Sequence, residues 1–305
     1  MIKSVIVTNH LGESIELELM RPDLSGFIVE SITGLGPVKA DIGITDVATY
    51  DGGVYNSARL NTRNIVMKLK FMDGYSGYSI EDIRHKSYKY FPVKAKIKFR
   101  IITDNRTLEI DGHIESNEPD IFSDKEGCSI SIICPQPYFY GVGEDNKYVF
   151  SGVEPLFEFP FSNESLEVPL IEMGDIKIVY QGLLVYKGDA EVGVKITLHA
   201  YDEVHNITIY NTGTRETMFI DTDKIYLLTG SGIIARDEII INTVEDDMYI
   251  WLLRDGRYIN ILNCIDKDAD WFQLSAGDNI FAYTAETGQE NLTFTIEHKV
   301  IYKGV

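Results

Sequence analysis

His199 and His205 bracket Asp202 and Glu203 in the run LHAYDEVH, and imidazoles beside carboxylates are donors that suit a zinc ion. A closed site needs further ligands, and nothing nearby nominates a third, so the run also reads as strand, polar turn and strand. Two acid clusters, Glu245-Asp246-Asp247 and Asp266-Lys267-Asp268-Ala269-Asp270, invite a paired-carboxylate hydrolase or a calcium loop. The second cluster lacks the glycine and closing glutamate of a calcium loop, and such clusters in acidic loops are usually solvated turns. Trp251 and Trp271 are the only tryptophans. An exposed one could stack on a sugar ring, whereas alternation in MYIWLL and DWFQL favours core or strand edge. Nucleophile-elbow, phosphate-loop, zinc-protease and dinucleotide glycine motifs are all missing. The expectation is therefore no enzyme, no metal and no cofactor.

Charge narrows the partners. The net charge of −19 argues against nucleic acid, whose phosphates require a basic face. Residues 1–140 carry 16 basic against 19 acidic side chains, and residues 141–305 carry 12 against 28. That shift predicts a boundary near residue 141. Between Arg84 and Arg100 lie seven basic residues and no acid: Arg84, Lys86, Lys89, Lys94, Lys96, Lys98 and Arg100. They form either a contact for an acidic partner or a helix end plus the wet face of one strand. Cys128 and Cys134 are six apart, which places them on one strand face roughly 20 Å from each other, too far for a disulfide. With Cys264 they read as buried free thiols of a reducing compartment. No apolar run approaches the length of a membrane span, and the N-terminal residues lack a signal-peptide pattern, so neither secretion by that route nor membrane insertion is expected.

The elements that must position these residues are mostly strands. Eighteen tyrosines and 14 phenylalanines, with many Ile, Val and Thr, favour β structure, and 305 residues suit two domains. IKSVIVT and SIELELM flank the turn Asn9-His10-Leu11-Gly12 as a first hairpin. Ser31 to Arg63 sets glycine turns (Gly34, Gly36-Pro37, Gly43, Asp51-Gly52-Gly53) between short β-branched runs, and Asn64 to Phe71 alternates as a half-buried strand. Residues 79–91 form the one helix of the first half, with Ser79 as N-cap, acids in the first turn, bases in the last and Pro92 as stop. Residues 141–165 read as a connector. From residue 166 on, short runs separated by turn residues every 8–14 positions, among them VPLIEMG, TMFIDTD and KIYLLTG, read as strands of a β-sandwich or jelly roll.

Several segments together resemble the siphophage distal tail protein family: ITGLGP, DGGVYNSARLNTRNIVMKLKF, DIRHKSYKYF before a proline, RIITDNRTLEIDGHIES and SISIICPQPYFYG in the first half, and FIDTDK and FQLSAGDNIFAYTA in the second. The resemblance spans nearly the whole chain. It implies an all-β, two-domain protein: an N-terminal β-barrel or sandwich with one helix over residues 1–140, and a C-terminal galectin-like sandwich over residues 166–305. It further implies a virion structural protein that assembles in the bacterial cytoplasm and resides at the tail tip or baseplate. There six copies form a ring joining the tail tube to the tip, and the C-terminal domains project as a platform for receptor-binding parts.

By position, Gly34, Gly36 and Pro37 and the segment from Asp51 to Asn64 lie in the ring-forming domain, with Arg59 and Arg63 as interface residues. A ring requires that one surface of each copy meet a different surface of the next. Lys94, Lys96 and Lys98 are expected to supply one half and Asp41, Asp46 and Asp51 the other. The rival reading is a carbohydrate-binding, adhesin-like protein of two β-sandwiches using Trp251 or Trp271.

Overall fold

The computed structural model describes residues 1–46, 51–74, 77–144, 146–154, 175–178 and 180–305, for 151–154 and 175–178 only the backbone. Within the expected connector, residues 146–149 and 151–154 are strands, while residue 145, residues 155–165 and the expected strand VPLIEMG lie outside the described residues. The chain forms two compact units, Met1–Glu144 with Ile301–Val305, and Asp145–Val300. Both are built almost wholly of strands, the all-β architecture that the β-branched and aromatic composition predicts. The last five residues return to the first unit, a connection that composition does not reveal.

In the first unit the strands are β1 (Ile2–Thr8), β2 (Ser14–Glu18), β3 (Phe27–Thr33), β4 (Ala40–Asp46), β5 (Gly53–Leu60), β6 (Arg63–Phe71), β7 (Lys96–Thr103), β8 (Thr107–Pro119), β9 (Gly127–Cys134) and β10 (Phe139–Gly141). The main sheet runs β2-β1-β7-β8-β9-β6-β3, every neighbour antiparallel. Period-two alternation gives it one apolar face, on which Val5, Val7, Ile65, Met67, Leu69, Phe99, Ile101, Ile110, Ile130 and Ile132 are all buried. Helix α1 (Ile80–Tyr90) starts where the sequence predicts. Ser79 accepts from the Asp82 amide while the Asp82 carboxylate accepts from the Ser79 amide, a reciprocal cap. Ile83 and Ser87 are its buried residues.

The opposite face of β7 is wet, and its basic side chains meet acids of the adjacent β8. Lys96 lies 2.7 Å from Asp111, Lys98 2.6 Å from Glu109 and Arg100 2.8 Å from Glu109. Lys89 pairs with Glu13 at 2.8 Å, Arg84 lies 3.9 Å from Glu126, and Lys86 donates to the Ser25 carbonyl at 2.7 Å. The seven-residue basic run is therefore largely neutralised within its own fold, and the expectation that Lys96 and Lys98 await a partner's acids gives way to a cross-strand ladder. Burial pushes the Glu109 carboxyl up, but its bonds to Lys98 and Arg100 outweigh this and hold it below the usual carboxylate range. Because these pairs are partly exposed, Glu109→Gln is expected to cost at most about 1 kcal/mol in a urea titration. Lys94 is exposed in a turn at φ 70°, a conformation that favours glycine.

Cys128, Cys134 and Cys264 are free and buried. Burial pushes the Cys128 thiol up to about 12 and the Cys134 thiol up to about 11. Maleimide labelling of these two between about pH 7 and pH 9 is expected to report unfolding of the first unit rather than thiol ionisation. Native-state labelling that climbs with pH like that of a free thiol would contradict this.

The second unit continues with β11 (Asn146–Val149), β12 (Ser151–Glu154), β13 (Asp175–Ile178), β14 (Gln181–Tyr186), β15 (Val192–Gly193), β16 (Lys195–Ala200), β17 (His205–Asn211) and β18 (Glu216–Ile220). Then come β19 (Glu238–Asn242), β20 (Tyr249–Arg254), β21 (Arg257–Asn260), β22 (Gln273–Leu274), β23 (Gly277–Thr287) and β24 (Leu292–His298). The final β25 (Ile301–Tyr302) pairs with β10 in the first unit. Two main sheets, β11-β24-β16-β19-β20-β21 and β14-β23-β17-β18, make the sandwich. Their inner faces meet where the Tyr283 ring of one stacks on Phe294 of the other at 5.5 Å. The Tyr283 hydroxyl donates to the Leu292 carbonyl at 2.8 Å, and burial pushes its pKa up.

One expected strand is a helix. KIYLLTG lies in α2 (Thr222–Thr229) and its C-cap, because Asp221 accepts from the amides of Asp223 and Lys224 and Gly230 closes the last turn at φ 83°. Arg254 and the buried Asp237 fix the segment that follows. The guanidinium meets the carboxylate at 2.8 and 2.5 Å and also donates to Ser231 Oγ and the Gly232 carbonyl.

Candidate assembly interface

Strands β4 and β5 form a two-stranded sheet of their own, paired from Ala40↔Leu60 to Asp46↔Gly53 with a bulge at Gly43/Ile44. The register sorts the side chains. Ala40, Leu60, Ile42, Ala58, Ile44 and Tyr55 share one face, an apolar run that ends at Asp46. Asp41, Arg59, Gly43, Ser57 and Thr45 share the other, where Arg59 lies 3.3 Å from Asp41 and the Asn56 amide donates to Thr45 Oγ1 at 2.6 Å. An apolar face of this kind belongs against a core, yet Ile42 is 55%, Ile44 60% and Tyr55 64% exposed. A lone hairpin is marginal in water at best. Val54, on the polar side, is exposed as well, so the outer end carries apolar side chains on both faces. Asp46 and Asp51 stand at that end, also exposed.

Arg63 anchors the root of this hairpin. It is 1% exposed, so its expected place on a partner surface is corrected: the guanidinium is spent inside the fold. Nε donates to the Pro137 carbonyl at 2.8 Å, Nη1 to the carbonyls of Gly34 at 2.5 Å and Gly36 at 2.7 Å, and Nη2 to that of Lys303 at 2.7 Å. The guanidinium carbon lies 4.4 Å from the centre of the Phe139 ring. Burial pushes its pKa down. One side chain thus ties the strand leading into the hairpin, the start of β6, the segment before β10 and the final residues of the chain. Gly34 is required here: at φ 82° a side chain would be strained, and a Cβ would collide with the Asn64 carbonyl. Gly36 meets no such limit and contributes its carbonyl.

Between the hairpin root and this clasp lies a cleft of about 330 Å³, lined by Pro37, Val38, Ala40, Ala58, Arg59, Leu60, Arg63, Pro137, Tyr138 and Lys303. Pro37, expected at the interface, helps form its floor, and the apolar face of the hairpin runs into it through Ala40, Ala58 and Leu60. The sequence placed Gly34, Gly36, Pro37, Arg59 and Arg63 in one stretch. The fold gathers them around one cleft and leaves Lys94, Lys96 and Lys98 elsewhere on the unit. Missed by sequence reasoning were Pro137, Tyr138 and Lys303, which only tertiary contact recruits, and the apolar set Ile42, Ile44 and Tyr55, for which alternation around the turn was a usable signal.

The remaining candidates divide. His199 lies 3.3 Å from Glu238 and against Tyr201, and among the described residues no group of three or more His, Cys, Asp and Glu is placed to hold a metal. Trp251 is half-buried on β20, with the Tyr249 ring stacked on it at 3.9 Å and Tyr258 tilted beside it at 5.3 Å. Its ring contacts tyrosines on its own sheet instead of offering a free platform. Trp271 is half-buried just before β22. No described helix is long and apolar enough to cross a membrane.

No protein-family model and no curated protein matches the chain. Among solved structures it is similar to the crystal structure of the SPP1 Dit protein, described as a paradigm of the hub adsorption apparatus in phages infecting Gram-positive bacteria. The identity is 12%, the TM-score 0.59, and the match covers 97% of this chain and 98% of that one. Two structures of the phage P2 baseplate in its activated conformation, with calcium and with strontium, match at 11% identity. They give TM-scores of 0.40 and 0.41 and cover 98% and 97% of this chain and 99% and 98% of theirs. Across nearly its whole length, the chain shares the all-β fold of the SPP1 Dit protein.

Proposed function

We propose that this protein is a structural, non-enzymatic component of a phage or phage-derived tail. Copies of it form a hexameric ring that joins the tail tube to the tail tip or baseplate, with the second units projecting as an attachment platform for receptor-binding parts. In this reading it assembles in the bacterial cytoplasm and ends at the distal tip of the virion tail. The observation that carries the reading is the β4–β5 hairpin, an amphipathic element whose apolar face is exposed among the described residues of the chain. Exposed apolar surface of this kind marks an interaction site. A platform role is supported by α2, whose Tyr226, Leu227 and Leu228 are consecutive and exposed, Leu227 by 83%. The carbohydrate-binding alternative has less support, because the Trp251 ring is engaged by Tyr249 and Tyr258.

The test is the mass of the purified protein by light scattering, followed by negative-stain images. Six-fold rings with a central opening are expected. A protein that stays monomeric at high concentration, alone and with tail-tube protein, would sink the reading.

A further inference from the structure

Helix α2 presents its side chains in the reverse of the usual order. Its inward residues are Thr222, Ile225 and the half-buried Thr229. The two threonines are held by hydrogen bonds, Thr222 Oγ1 to the Asn206 side chain at 3.3 Å and Thr229 Oγ1 to the Ser231 carbonyl at 2.7 Å. The other apolar residues, Tyr226, Leu227 and Leu228, face outward and are 58%, 83% and 55% exposed. A surface helix ordinarily buries its apolar stripe and wets the rest. Leu262, 46% exposed, adds to the apolar surface on the adjoining turn, whose Cys264 carbonyl accepts from the Asp221 amide at the helix cap. Capped at both ends, α2 holds these side chains on a fixed frame.

The segments packed around α2 are rich in acids. Asp223 stands in its first turn, Asp202 and Glu203 precede β17, and Asp266, Asp268 and Asp270 follow the turn at Leu262, all of them exposed. The Asp266 amide donates to the Phe219 carbonyl at 3.2 Å, which brings that loop alongside β18 just before the helix. The bases of the same segments are Lys224, Arg236 and Lys267, and Lys224 is held by Asp221 at 3.1 Å. Residues 141–305 as a whole carry 12 basic against 28 acidic side chains.

We propose that α2 is a docking knob: Tyr226, Leu227 and Leu228 seat in an apolar pocket, rimmed by Lys and Arg, on a tail protein of different sequence. The inference rests on the attachment-platform reading above and adds to it the surface used and the chemistry of what it takes. Burial of the three side chains supplies the contact, and charge selects the occupant. A second copy would set the same acids against these, and a nucleic acid or anionic membrane would bring phosphates, so each is repelled.

The test uses the full chain in assembled tails. With Leu227→benzoylphenylalanine, irradiation is expected to cross-link this protein to one other tail protein, at a segment of apolar residues flanked by Lys or Arg. The same substitution at Thr214, exposed between β17 and β18, is expected to give no cross-link to that protein. Leu227→Asp with Leu228→Asp is expected to leave this protein in the tail and lower the partner's affinity about 100-fold. Both leucines are exposed, so the fold is expected to persist, which tryptophan fluorescence in urea checks. Raising salt from about 0.1 M to about 0.5 M is expected to weaken the wild-type contact about tenfold. A tail that contains this protein but yields no cross-link from position 227 overturns the knob and leaves the tail reading in place. So does a cross-link within its own chain, to another copy or to an acidic segment, or a contact indifferent to salt. A protein absent from the tail removes both.

Discussion

Arg63→Ala is expected to destabilise the first unit by about 3 kcal/mol. Four carbonyls in part-buried surroundings, those of Gly34, Gly36, Pro137 and Lys303, lose their donor at once, and an unpaired acceptor costs about 1–3 kcal/mol where water cannot reach it. The sum is reduced because removing the guanidinium also relieves the cost of burying its charge, and because water can reach some of the vacated sites. The clasp should therefore cost more than a single hydrogen bond and less than four. Arg63→Lys keeps the charge but not the planar fork, so it should recover less than half of the loss. The readout follows from residue placement: Cys128 and Cys134 are buried in the first unit, so their labelling in increasing urea tracks that unit alone. A loss below about 1 kcal/mol would show that the four bonds are dispensable.

Arg254→Leu is expected to cost the second unit about 3–5 kcal/mol, because it leaves the Asp237 carboxylate buried and without its cation. Asp237 is 1% exposed, so water cannot take over from the guanidinium without opening the segment after α2. Asp237 also accepts from the Ile234 amide at 2.9 Å, so Asp237→Asn keeps part of that bond while removing the charge. Combining the two substitutions should restore much of the loss, a coupling that distant sites would not show. Trp251 and Trp271 both lie in the second unit, so tryptophan fluorescence follows this transition and not that of the first. Additive losses in the double variant would contradict a charge pair as the cause.

These two arginines illustrate why some of the molecule was legible in its sequence and some was not. Arg63 read as a surface residue, since it stands beside a polar loop and before an alternating strand. Its partners are residues up to 240 positions away, and no local pattern names them. The basic run from Arg84 to Arg100 read equally well as a contact or as a wet face. The acids that settled it, Asp111 and Glu109, are on a strand whose register with β7 is fixed by the turn at 104–106. The strand expected at KIYLLTG was misread for a different reason: Asp221 and Gly230 supply both caps of a helix, and cap chemistry outweighed the surrounding rhythm of strands.

By itself the sequence determined the all-β character, the half-buried strands, the capped helix at 80–90, the unpaired thiols and the poverty of catalytic motifs. All of these depend on spacing within a few residues, on bond geometry or on composition. Only the tertiary structure decided which apolar face goes uncovered and where the charges end. An alternating strand shows the same period whether its apolar face meets a core, as in β6, or stays exposed among the described residues, as in β4 and β5. The difference lies in what the distant parts of the chain bring to that face. For β6 they bring β3, β9 and a shared core, and for the hairpin they bring a cleft at its root and an open outer end.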